Sequence, residues 1–215
     1  MKKFLCTLVA VTIGLTGSLA LAATQAVNTN TVAPQLQISA TIQKAVSLTL
    51  STGTTAGISH CAVVPTGGTP DYTMNFGTVD ALGINNGNCN KIAPTVAGTD
   101  NAIYWTDYSV LPVFTSHQNY SNTTVTAYVS TDFAAPHNIF VVRSATSTSS
   151  TTPAALTDFA AMSVASGSPD TIGAAGTASG TALTRFVGVA VTPANGATVL
   201  QGAQSATVTF TLTVN

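Results

Sequence analysis

From Leu36 to Leu50 the chain reads LQISATIQKAVSLTL, with Leu36, Ile38, Ala40, Ile42, Val46, Leu48 and Leu50 in one parity and mostly Gln, Ser and Thr in the other. Strand side chains point alternately to two faces, so a period of two predicts a β-strand with one buried and one wet face. Lys44 is the single break in the apolar row. Fifteen residues at about 3.3 Å each would span roughly 50 Å, far beyond a usual strand. The run is therefore expected to divide at Lys44. Two readings remain for its first half. It is either the start of a strand that switches between sheets of its own domain, or a segment that leaves the domain and completes the sheet of a neighbour.

The same alternation returns in Ala206 to Val214, ATVTFTLTV, where Val208, Phe210, Leu212 and Val214 oppose four threonines. Between these two, shorter strands are expected at Ile58–Val64, Tyr72–Phe76, Val125–Val129 and Phe186–Val191. Asn138–Arg143 is a near-continuous apolar run, the pattern of a strand buried on both faces. Ile103–Phe114, IYWTDYSVLPVF, is the aromatic region, and Pro112 points to an edge strand or loop at its end because proline cannot donate to a ladder. Gly83–Asn90, Ser144–Pro153 and Ala165–Thr181 read as loops from their Gly, Asn, Ser and Thr content. Leu156–Val164 fits a strand or a helical turn. Richness in Thr, Val, Ala, Ser and Gly favours strands over helices, and the expected fold is one all-β sandwich domain over residues 43–215.

The N-terminus alters the picture. Met1-Lys2-Lys3, an apolar run from Phe4 to Leu19 and Ala20-Leu21-Ala22 have the layout of a secretory signal peptide over residues 1–22. Cleavage is expected after Ala22, with Ala23 as the alternative. Residues 23–42 then form an N-terminal extension, polar at first and ending in the alternating segment. The expected location is outside the cell or on its surface, reached through the periplasm, with no membrane span after cleavage. Loss of Lys2 and Lys3 leaves four cations against seven aspartates, a net charge of −3, with no glutamate. Without a basic patch, nucleic acid is not an expected partner. Two cysteines also remain, Cys61 and Cys89, and an even count in an exported chain predicts one disulfide.

Three stretches taken together resemble the spore coat protein U domain and the archaic chaperone–usher pilins. The opening alternating run is followed by Ser51-Thr52-Gly53-Thr54 and then a cysteine. MNFGTV follows at Met74–Val79, and the chain closes on RFVGVAVTPANGATVLQGAQSATVTFTLTV, Arg185–Val214. The resemblance covers both ends of the chain and leaves about Asn90 to Thr181 unmatched. It implies an immunoglobulin-like β-sandwich lacking its last strand and completed by donor-strand exchange. It also implies Leu36, Ile38, Ala40 and Ile42 as the donor's anchors. The partners it implies are copies of the chain in a polymer, with a periplasmic chaperone and an outer-membrane usher.

Chemistry is sparse. No nucleophile-elbow, zincin or phosphate-loop motif occurs, and Asp71, Asp80, Asp100, Asp107, Asp158 and Asp170 fall where turn-forming aspartate is expected. No catalytic site, metal or cofactor is expected, and the chain is not expected to be an enzyme. The leading expectation is a structural subunit of a surface fibre or coat. The alternative is a monomeric secreted carbohydrate-binding or adhesin-type module that stacks sugar on Tyr104, Trp105 and Tyr108. Those rings equally suit a core, which is their commoner use.

Overall fold

The computed structural model describes residues 37–40, 45–115, 122–193 and 201–214. The chain divides into two units, Met1–Ile42 and Gln43–Asn215. The expected signal peptide lies outside the described residues, as do Leu36 and Ile42. Gln37–Ala40 carry no regular secondary structure, and Ile38 is exposed.

The second unit is all-β, with eleven strands among its described residues. These are β1 (Val46–Thr52), β2 (Val64–Pro65), β3 (Tyr72–Thr73), β4 (Asn90–Ile92), β5 (Ala102–Phe114), β6 (Thr124–Thr131), β7 (Ile139–Ser144), β8 (Phe159–Ala161), β9 (Asp170–Gly173), β10 (Leu183–Val191) and β11 (Thr207–Thr213). The larger antiparallel sheet runs β1-β5-β10-β7-β8, with β4 in line with β1 on the same edge of β5. A three-stranded sheet runs β11-β6-β9, and β2 and β3 form a small ribbon.

β5 is the axis of the fold. Its even positions Tyr104, Tyr108 and Val110 join Val187 and Val189 of β10, and Val125, Ala127 and Val129 of β6 meet them from the smaller sheet. Its odd positions Ile103 and Trp105 face the other way. There they join Phe186 and Ala190 of β10, Val142 of β7 and Phe159 of β8 in an outer cluster. Both faces of the sheet are thus apolar, which is why the segment alternates so little. Trp105 crosses Gly188, where a Cβ would come within 3.0 Å of the Trp105 Cβ.

Pro112 does not end β5. Its carbonyl accepts from the Gly180 N–H, on the side where β10 has already stopped opposite Val110. The N–H that proline lacks would point to that same side, so no ladder bond is lost. Four other expectations also differ. Ile58–Val63 is irregular and only Val64–Pro65 pairs. The strand at Tyr72 stops at Thr73. The Ala165–Thr181 loop contains β9. β7 is not covered on both faces, since Phe140 is 40% exposed. The undecided stretch is both things in turn, a single 3-10 turn at Leu156–Asp158 followed directly by β8.

Candidate functional site

The two strands with the clearest alternation end up on two open edges. Among the described residues β1 pairs only with β5, and β11 only with β6, so each leaves one row of backbone groups outside any ladder there. They approach within 8 Å, Cα to Cα, yet share no ladder. Leu48 and Leu50 of β1 and Val208, Phe210 and Leu212 of β11 all pack against the cluster of Tyr108, Val110, Val125, Ala127 and Ile172. None of the five is fully buried. Phe210 meets Tyr108 edge-on at 5.8 Å. The result is a cleft with an apolar floor and unpaired backbone on both walls, the unstable kind of edge that proteins usually cover.

The opposite side of the molecule is closed. Met162 donates its N–H to Val141 in the larger sheet, and the next residue, Ser163, accepts from Val129 in the smaller one. Arg143 of β7 reaches Asp170 of β9 at 2.6 Å. The buried Arg185 of β10 donates from Nε to the Ile172 carbonyl of β9. Burial pushes its guanidinium pKa down, against a smaller upward effect of Tyr108. It is charged at any ordinary pH.

Between β1 and β4 the chain is fixed by a cluster of polar bonds. Cys61 and Cys89 are bonded, with Cα atoms 5.3 Å apart. The Cys61 N–H donates to Thr106 Oγ1. Next to it, the fully buried Asp107 accepts from the Thr55 N–H at 2.8 Å and lies 2.6 Å from His60 Nδ1. Burial alone would raise the Asp107 pKa, but the bonds from Thr55 and His60 outweigh it, and the net shift is downward. Gly53 makes this approach possible, since a Cβ there would fall onto the carboxylate. Asp107 therefore departs from the expectation of a turn residue: it is a buried strand residue that pins the crossover leaving β1. The sequence carries no local sign of this, because its partners lie 47 and 52 positions away.

A second carboxylate shapes the Gly/Asn loop. Asp80 accepts from the N–H groups of Leu82, Ile84 and Asn85, while Lys91 Nζ donates to the Gly83 and Asn85 carbonyls. Burial works to raise the Asp80 pKa, and the three backbone bonds with Tyr104 bring it net down.

The aromatic residues expected as an exposed stacking platform are not exposed. Tyr104, Trp105 and Tyr108 are 1%, 5% and 3% accessible. Trp105 lies between Phe159 and Phe186, at 6.0 and 5.8 Å, and Tyr104 directs its hydroxyl to the Asn85 carbonyl. They also lie on opposite faces of β5, so they could not form one platform. Of the expected donor anchors, Ile38 and Ala40 fall within the described residues and both are exposed.

Among the described residues no cluster of three or more His, Cys, Asp or Glu could hold a metal, and no helix is long and apolar enough to cross a membrane. No family model, curated protein or solved structure matches this chain.

Proposed function

We propose that this chain is a structural subunit of an exported surface fibre or coat, joined to its neighbours by donor-strand exchange. The observation that carries the reading is the cleft between β1 and β11. It has apolar side chains along its floor and, among the described residues, unpaired backbone along both walls. On this reading the fold is an immunoglobulin-like sandwich short of its last strand. The segment Leu36–Ile42 of another copy supplies that strand. Its backbone completes the ladders, while Leu36, Ile38, Ala40 and Ile42 fill the apolar floor, as β-strand addition requires. A periplasmic chaperone would cover the cleft before assembly, and an outer-membrane usher would order the exchange. The proposal assigns the chain no catalytic activity.

The test is to express the exported protein with and without residues 23–42 and examine both by electron microscopy and sedimentation. Filaments from the intact chain and none from the truncated chain are expected. A full-length monomer whose sedimentation is independent of concentration refutes the proposal.

A further inference from the structure

A cavity of about 410 Å³ opens on the outer face of the larger sheet, near the start of β5 and away from the half of β5 that β1 covers. Pockets of roughly 300–1,000 Å³ with an apolar lining and a few polar groups are the usual sites for small ligands. The floor here is the outer cluster, through Ile103, Val142 and Phe159. The wall is Phe140, exposed at 40% although it belongs to a strand of the sheet. His137 packs edge-to-face on that ring at 5.4 Å, and its Nδ1 is 2.9 Å from the Ile139 carbonyl, so the ring is held in place. The rim is polar and comes from two separate segments, Thr99, Asp100 and Asn101 from the loop before β5 and Thr157 from the 3-10 turn before β8. Asp100 uses Oδ2 to accept from the Val96 N–H, leaving Oδ1 for a ligand.

We infer that this cavity is a binding site for a neutral sugar ring. The lining contains no Lys, Arg or His, and its single charge is the Asp100 carboxylate, so an anion is disfavoured. A purely aliphatic ligand would leave the rim groups dry and unpaired, which costs binding energy. A pyranose suits both parts. Its C–H face lies on Phe140, and its hydroxyls donate to Asp100 and exchange bonds with Asn101, Thr99 and Thr157. The site faces outward and does not use the β1/β11 cleft, so it does not rest on the fibre reading and would stay open in a polymer.

The experiment is saturation-transfer difference NMR on the full mature protein, which works for monomer and polymer alike. The probes are the methyl glycosides of glucose, galactose and mannose, N-acetylglucosamine, and hexanol as the apolar control. At least one sugar is expected to give a saturable signal in the millimolar range. Phe140→Ala and Asn101→Ala should each weaken it tenfold or more. Thr157→Val keeps the shape of the rim and should weaken it too, so the test survives if either other variant folds poorly, as judged from its Tm. Absence of any saturable sugar signal overturns the inference. So does a signal that survives the substitutions, or hexanol binding more tightly than every sugar.

Discussion

Phe210→Ala separates a cleft that receives a strand from one that is merely a surface groove. In the free subunit Phe210 is only partly buried, its ring set edge-on against Tyr108 at 5.8 Å with the open edge of β11 beside it. Truncating a fully buried phenylalanine costs about 3–5 kcal/mol. A ring already covered over about two-thirds or more of its surface forfeits most of that, roughly 2–4 kcal/mol, in line with the area it removes from water. A donor strand laid between β1 and β11 would complete the burial, so the loss should be larger in the complex than in the free subunit. The difference, at most about 1–1.7 kcal/mol, is a weakening of up to roughly five- to eighteen-fold in Kd. The assay is calorimetric titration of LQISATI peptide into the chain lacking residues 23–42, with wild-type and Phe210→Ala forms side by side. Phe159→Ala is the control. Its ring lies in the outer cluster at 6.0 Å from Trp105, so it should lower stability while leaving peptide affinity unchanged. Equal affinities for wild type and Phe210→Ala, or an equal loss in Phe159→Ala, would refute the reasoning.

Four further outcomes are expected. Ile38→Asp in the same peptide should abolish measurable binding, because it removes an apolar anchor and places an unpaired carboxylate in an apolar cleft; undiminished affinity would remove Ile38 from the donor. Asp107→Asn should cost about 2–4 kcal/mol at neutral pH, as charge-assisted bonds to Thr55 and His60 are weakened. The folded pKa of Asp107 is lowered, so its contribution is present above the ordinary carboxylate range and is lost as pH falls through the folded value. The gap between wild type and variant in urea unfolding should therefore narrow in acid, and parallel curves at every pH would contradict this. Trp105→Ala should cost roughly 3–5 kcal/mol through the cavity left between Phe159 and Phe186, and alkylation of the unreduced protein should modify neither Cys61 nor Cys89; retained stability in the first case or two labelled thiols in the second would overturn these assignments.

The residues that were legible in sequence are those whose environment is set by period alone. β1 and β11 each turn one parity inward. Leu48 and Leu50 in one strand, and Val208, Phe210 and Leu212 in the other, could therefore each be assigned to the inner face of its own strand before any fold was known; that both rows meet one cluster could not. The cysteine count led to the Cys61–Cys89 bond for a similarly local reason. What failed depended on distant partners. Asp107 looked like any other aspartate, because Thr55 and His60 reach it only once β1 has paired with β5. Phe140 looked buried because a continuous apolar run does not say whether a layer covers both faces. Pro112 looked like a strand end, since only the early stop of β10 makes its missing donor harmless. β9 is four residues in a Gly/Ala/Ser tract and owes its position to its ladder with β6 and to bonds from Arg143 and Arg185, not to a pattern of its own.

The position of the disulfide has a mechanical consequence. In a fibre of the proposed kind, tension would enter each subunit through its N-terminal extension and act first on β1, whose seven pairs with β5 would be loaded in shear. If those pairs gave way, the chain could pay out only as far as Cys61, because the bond to Cys89 ties the next residues to the base of β4. Residues 46–60 would then extend by about 50 Å at most, while the clusters around β5 stayed intact. Each subunit would carry a short, reversible length of slack with a covalent stop.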